Sequence, residues 1–277
     1  MAGTVERVED AGGASVLVRH WVPAGDSFVR LLLVHGIAEH SGRYERTGSL
    51  MAAAGVDVHA FDLPGFGESG GRRAWVERWD EYLAAVEGRL DAIADGALPV
   101  ALMGHSMGGL IAASYVASGR RRPDLLVLSS PALGSAVSPL LQRLAALASR
   151  VAPTVTQANP LGGKQLSRDP GVAAAYFGDP LLVPRTTMRL AAEMFAAMRR
   201  SGEGIGRIAV PTLVIHGSDD TIVPPAASEP LSALPNVERR VYPGLRHETL
   251  NEPEGPRVVA DVVGWLRARV AERPRPA

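Results

Sequence analysis

Four short runs of the chain, 31–34, 98–103, 125–128 and 213–215, are apolar without polar alternation. That is the pattern of strands covered by helices on both faces. A fifth run, 56–61, is interrupted by Asp57 and His59 and still reads as a strand, and 237–242 reads as a last strand feeding a loop. Between them, helical spacing recurs at 44–54, 76–94, 109–117 and 256–270. Strand alternating with helix predicts a mostly parallel, doubly covered sheet of the α/β class. Ahead of it, residues 4–9 and 15–21 flank Gly12-Gly13 and predict an antiparallel hairpin at a sheet edge.

The rhythm breaks between 131 and 207. Residues 139–151 place Leu140, Leu141, Leu144, Leu147, Ala148 and Val151 on one helical face; a stretch punctuated by proline and glycine follows, then a second helix over 185–199. A segment this long between two strands predicts a helical cap, 131–207, inserted over the strand ends of a core made of 1–130 and 208–277. Its apolar residues read first as packing; the other reading is an apolar mouth for a lipid-like substrate. The end of the chain, 273–277, is a Pro/Arg tail expected to be disordered.

Composition narrows the function. Lys plus Arg and Asp plus Glu both total 29, so no net field draws in nucleic acid or an anionic membrane. The absence of cysteine excludes a disulfide, a thiolate nucleophile and a cysteine metal site, and fits a reducing compartment. The start of the chain lacks the basic and then apolar run of a secretory signal, and no apolar stretch is long enough to span a bilayer. A cytoplasmic protein, monomer or homodimer, is expected.

Candidate chemistry centres on Gly104-His105-Ser106-Met107-Gly108, between a predicted strand and a predicted helix. A tight strand-to-helix turn strains its apex residue, and glycine two places to either side removes the Cβ atoms that would clash, leaving the Ser106 hydroxyl pointing out. A serine hydroxyl needs a base, and the base needs an orienting acid. In this arrangement the acid and then the histidine follow on loops after later strands. Only His247 lies beyond the last two strands and ahead of the final helix. The acid belongs after 213–215, where Asp219 and Asp220 adjoin; the G-x-x-D-x-x-V-P spacing points to Asp220 and leaves Asp219 as a turn former. The backbone N–H of Met107 is one expected oxyanion donor, and Gly36 makes the N–H of Ile37 the other.

Two competing motifs fail on context. Gly65-Phe66-Gly67-Glu68-Ser69-Gly70 spells a dinucleotide fingerprint, but the chain continues as loop instead of opening a helix. His35, Glu39 and His40 match no familiar metal-ligand spacing. No cofactor and no metal are expected.

With these residues in place, the chain resembles the monoacylglycerol lipase group of the α/β-hydrolase superfamily, nearly end to end. The likeness rests on His35-Gly36-Ile37-Ala38-Glu39-His40-Ser41-Gly42-Arg43-Tyr44, the Ser106 elbow, Gly217-Ser218-Asp219-Asp220, and Tyr242-Pro243-Gly244 leading to His247-Glu248. It implies an α/β-hydrolase fold, and it implies that Glu39, Arg43, His105 and the cap residue Tyr176 shape a polar end that receives glycerol. For Glu39 and Arg43 a mutual salt bridge that only braces the loop is the other reading, and both can hold. Asp62-Leu63-Pro64-Gly65-Phe66-Gly67-Glu68-Ser69 departs from the group and is closer to general esterases and C–C hydrolases.

The expected activity is hydrolysis of monoacylglycerols, a small lipid ester substrate, through an acyl-enzyme on Ser106. A general carboxylesterase or lysophospholipase with the same triad is the alternative, and a non-catalytic binding module is the remote one. The apolar cap helix offers a transient contact with lipid surfaces, placing the protein at membranes peripherally.

Overall fold

The expected edge hairpin forms in the computed structural model: β1 (Thr4–Glu9) pairs antiparallel with β2 (Ser15–Trp21). The structure describes residues 3–10, 13–96, 98–135, 137–159 and 161–273; Gly12 of the hairpin turn, Pro160 of the punctuated stretch and 274–277 of the tail lie outside them. Then follow β3 (Val29–Val34), α1 (Glu45–Ala53), β4 (Val56–Phe61), α2 (Asp80–Ile93), β5 (Val100–His105), α3 (Met107–Ala117) and β6 (Leu125–Ser129). After β6 come α4 (Pro139–Val151), β7 (Thr156–Ala158), α5 (Gly163–Leu166), α6 (Pro170–Gly178), β8 (Arg185–Thr187) and α7 (Met188–Gly204). The chain then returns to the sheet with β9 (Thr212–Gly217) and β10 (Val237–Tyr242) and ends in α8 (Gly255–Ala271).

The eight-stranded sheet has the order β1-β2-β4-β3-β5-β6-β9-β10, with β1 and β2 antiparallel and every pair from β4 to β10 parallel. The period of two distributes each apolar run between two cores. Leu32, Val34, Leu102, Leu126, Leu128 and Val214 face the core shared with α2, α3 and α7, while Leu31, Leu33, Ala101, Met103, Val127, Leu213 and Ile215 face the one shared with α1 and α8. All of these side chains are buried, which is why the runs lack polar residues.

Three of the expected starts move inward for a local reason. The strand expected from 98 begins at Val100, because Pro99 has no N–H to give to the ladder. The helix expected from 76 begins at Asp80; the Trp79 N–H is taken by the Glu193 carboxylate on α7, 3.0 Å away. The helix expected from 185 begins at Met188, because 185–187 pair with β7 and the Thr187 hydroxyl caps the first turn by accepting from Leu190 N–H.

The parallel sheet aligns the carboxyl ends of β3, β5, β9 and β10 along one rim, and the segment between β6 and β9 lies across it. Backbone bonds tie the two together: Val183 N–H to Ala38 O at 2.9 Å and Glu248 N–H to Leu166 O at 2.8 Å. The His40–Asp179 pair adds a 2.7 Å contact. The apolar face of α4 points the other way. Leu140, Leu141, Leu144, Leu147 and Val151 are each more than half exposed, so packing does not account for them.

Candidate active site

Ser106 stands at the turn from β5 into α3 with φ 53° and ψ −116°, a left-handed conformation that side chains other than glycine rarely hold. The flanking glycines make it possible. A Cβ on Gly104 would lie 2.2 Å from Gly108 O, and one on Gly108 would lie 2.2 Å from Val34 O, so strand, helix and neighbouring strand close here backbone against backbone. The Ser106 backbone is held by its N–H to Ser129 O at 2.9 Å and by its carbonyl, which accepts from Leu110 and Ala132. The strain is thus over-determined by surrounding bonds.

His247 and Asp220 come together as the spacing predicts. Nδ1 of His247 is 2.7 Å from Oδ2 of Asp220. Asp220 Oδ1 accepts the N–H groups of Ile222 and Val223, both at 2.9 Å. A carboxylate only accepts, so the proton of the pair lies on Nδ1, leaving His247 Nε2 as the free basic nitrogen. Burial pushes the Asp220 carboxyl up, but bonds from His216, His247 and Val223 outweigh it and hold the group well below the usual carboxylate range. Asp219 carries none of this; it is exposed and accepts from the Ser218 hydroxyl at 2.7 Å.

One partner escaped the sequence reading. His216, fully buried at the end of β9, places Nε2 3.1 Å from the same Asp220 oxygen and 2.9 Å from Val223 O, and Nδ1 3.0 Å from the Ser228 hydroxyl. Facing two acceptors, its Nε2 carries a proton. The signal for it in the sequence is a strand-end histidine four residues before Asp220.

Two cavities meet at Ser106. One, of about 190 Å³, is lined by Ile37, Ser106 and Met107 and by apolar residues including Ala132, Leu161, Ala191, Met194, Phe195, Met198 and Val223. The other, of about 30 Å³, is lined by Ser106, His105, His247, Glu39, Arg43, Glu248 and Tyr176. A larger open hollow of about 480 Å³ on the flank, beside Trp79 and Ser201, holds neither Ser106, Asp220 nor His247. Chemistry, not size, therefore selects the site.

The polar cavity is built on one guanidinium. Arg43 Nη1 donates to Glu39 Oε2 and to Glu248 Oε1, both at 2.8 Å, and Nη2 donates to Glu248 Oε2 at 3.0 Å. Arg43 also lies 4.7 Å from the centre of the Tyr176 ring. Glu39 Oε1 accepts from Gly36 N–H at 2.5 Å and from the Tyr44 hydroxyl at 2.7 Å. Burial alone would raise the Glu39 carboxyl; Arg43, His105 and His35 outweigh it and hold it at about 2. The bracing salt bridge therefore exists, and the same residues line the cavity beside Ser106. Glu248 was not singled out from sequence, although it adjoins His247.

Neighbouring loops are fixed by the same economy. His35 Nδ1 donates to Gly36 O at 2.8 Å while Nε2 accepts from Leu63 N–H at 2.9 Å, so both nitrogens are used in the neutral form. Asp62 accepts from Ser41 N–H and from Glu68 N–H, both at 2.8 Å. The glycine-rich run after β4 thus folds as a braced turn, closed by Gly65 N–H to Gly70 O at 2.8 Å.

His105 lies beside His247, with ring centres 4.8 Å apart. Burial, and then the charge of His247, lower its pKa to about 4. Between the ordinary 6.5 and about 4 the unfolded chain binds a proton that the folded protein refuses, so stability falls as pH drops through that window. At pH 5 the loss from His105 is expected to be about 2 kcal/mol. Urea unfolding at pH 7 and pH 5 checks this: His105→Gln is expected to lose part of the slope, and an unchanged slope contradicts a buried neutral His105.

A family model described as serine aminopeptidase S33 matches residues 26–254. The chain belongs to this family. Within it, the chain is 35% identical to a monoacylglycerol lipase of Mycolicibacterium smegmatis, covering 92% of this chain and 94% of that one. It is 30% identical to phospholipase YtpA of Bacillus subtilis, covering 81% and 89%. Among solved structures, the monoacylglycerol lipase of Paleococcus ferrophilus superposes with a TM-score of 0.83 at 29% identity, covering 96% and 99%. A monoglyceride lipase of Saccharomyces cerevisiae with a substrate analog superposes at 0.86 with 23% identity, covering 97% and 96%, which bears on the fold. The sheet, its covering helices and these superpositions make the chain an α/β-hydrolase.

Proposed function

We propose that this protein is a serine ester hydrolase that cleaves monoacylglycerols into glycerol and fatty acid, with Ser106 as nucleophile, His247 as general base and Asp220 as the orienting acid. The observation that carries the reading is the position of Ser106 at the junction of an apolar and a polar cavity. A monoacylglycerol has the same division: an apolar chain and a hydroxyl-rich alcohol joined at the ester.

In this mechanism His247 Nε2 takes the Ser106 proton as the hydroxyl attacks the ester carbonyl, and the N–H groups of Ile37 and Met107 stabilise the oxyanion. His247 returns the proton to the departing glycerol oxygen. Water then enters, His247 takes its proton, the acyl ester on Ser106 is attacked and the fatty acid leaves. Glu39, Arg43, Glu248, His105 and Tyr176 offer both donors and acceptors to the glycerol hydroxyls. Residues 131–207 act as the cap that closes the acyl cavity.

The identity to the Mycolicibacterium smegmatis monoacylglycerol lipase supports this choice; phospholipase YtpA keeps lysophospholipid as the comparison to run. The test is kcat/KM for monoacylglycerols of graded chain length against lysophospholipid, triacylglycerol, p-nitrophenyl esters and an amino-acid amide. A monoacylglycerol is expected to be the best substrate among the natural classes. Preference for the lysophospholipid or the amide overturns the assignment.

The exposed ridge on α4 is proposed to rest on the lipid surface that supplies the substrate, with apolar area as the driving force because the net charge is zero. Among the described residues no helix is long and apolar enough to cross a membrane. Leu144→Glu with Leu147→Glu is expected to lower co-flotation with phosphatidylcholine vesicles several-fold while hydrolysis of a water-soluble p-nitrophenyl ester is retained. Equal flotation of variant and parent contradicts a role for α4.

A further inference from the structure

Far from Ser106, at the end of the sheet where β4 begins, three metal-ligating side chains converge. His20 on β2 and His59 on β4 are directly opposed across the antiparallel pair, and their rings stack with centres 4.0 Å apart at 17°. Asp57, two residues before His59 and so on the same face, places Oδ1 2.5 Å from His20 Nε2 and 3.2 Å from His59 Nε2. One ligand atom from each of the three lies within 4.8 Å of the others. The cluster is half-buried, with His20 the most open at 35%.

The bonding inside the cluster is incomplete. His59 Nε2 is buried and makes no hydrogen bond, despite its nearness to an oxygen that His20 already occupies. Arg30 donates to Asp57 Oδ2 at 3.2 Å and also pairs with Asp95, so Asp57 shares its guanidinium with a second carboxylate. A cation held by both imidazoles and the Asp57 carboxylate would satisfy the orphan nitrogen.

We infer that His20, Asp57 and His59 form a binding site for a borderline transition-metal dication of the zinc type. Two imidazole nitrogens and one carboxylate oxygen supply three ligands, leaving the fourth tetrahedral position to water on the open side of His20. With Nε2 ligating and Oδ1 turned to the ion, Oδ2 stays with Arg30, which orients the carboxylate from behind. The pairing of β2 with β4 already places His20 directly opposite His59. The ion would pin β2 onto β4 at the sheet edge; it would take no part in the ester chemistry on the opposite rim.

Titration of the untagged full chain with ZnCl2, followed by calorimetry, and with CoCl2, followed by visible absorption, tests this. The expected result is one equivalent of Zn2+, a tetrahedral Co2+ spectrum and a rise in Tm with added Zn2+. His20→Gln and His59→Gln should each weaken Zn2+ binding at least about tenfold and abolish the Tm rise. Asp57→Asn, which keeps the shape of the side chain, should do the same. All three variants should keep wild-type hydrolysis of a p-nitrophenyl ester, and His247→Ala should leave Zn2+ binding unchanged. Zn2+ binding that survives loss of His20 or of His59, or a Co2+ titration with no visible spectrum, overturns the site.

Discussion

Ser106→Ala is expected to lower kcat for monoacylglycerol hydrolysis on the order of 10⁵- to 10⁶-fold, by analogy with other triads. In the proposed mechanism the substitution removes the atom that forms the acyl-enzyme, while the backbone that creates the site is untouched. Alanine inherits φ 53°, the strain that serine already bears, and the contacts of Gly104 and Gly108 that hold the elbow do not involve the hydroxyl. Folding should therefore survive, and an unchanged Tm beside the lost turnover separates chemistry from stability. Residual activity at a substantial fraction of wild type contradicts Ser106 as the nucleophile.

Asp220→Asn is expected to lower kcat about 10⁴-fold, because it reverses a tautomer without moving an atom far. The N–H groups of Ile222 and Val223 both donate to Oδ1, so the amide oxygen of asparagine must take that position. Its NH2 group then replaces Oδ2 and points at His247 and His216. Facing a donor, His247 Nδ1 becomes an acceptor and the ring proton moves to Nε2, the nitrogen that must take the Ser106 proton. His216 keeps its Nε2 proton, because Val223 O at 2.9 Å still accepts it. The measurement is the steady-state rate on monoacylglycerol together with the low-field proton spectrum of His247. Wild-type kcat in Asp220→Asn contradicts the assignment of the acid.

The fold was legible wherever one local rule decides the outcome. A run buried on both faces has no room for polar alternation, so β3, β5, β6 and β9 announced themselves; a serine between spaced glycines announced the turn into α3. The order of strands limits where an acid and a base can lie, and the structure brings the two candidates so chosen, Asp220 and His247, together. Their partners were less visible. Glu248 meets Arg43 across 205 residues, and His216 shares an oxygen with a residue on another loop; neither contact follows from local pattern.

Periodicity also reports a face without saying what it faces. The apolar side of α4 was correctly grouped, yet packing was its first reading and the structure leaves it exposed. The punctuated stretch after α4 reads as irregular because its elements are short: α5 spans Gly163–Leu166 and β7 spans Thr156–Ala158. Elements of that length take their form from the residues they dock on. In the sequence Asp57 and His59 are only polar interruptions of one strand; their convergence with His20 is a matter of register between β2 and β4.

Covalent labelling by a fluorophosphonate, mapped by peptide mass spectrometry, tests Ser106 as the nucleophile. A single adduct is expected on Ser106, slowed by excess monoacylglycerol and absent from Ser106→Ala. An adduct on another residue, or full esterase activity in protein whose Ser106 is quantitatively labelled, would contradict it.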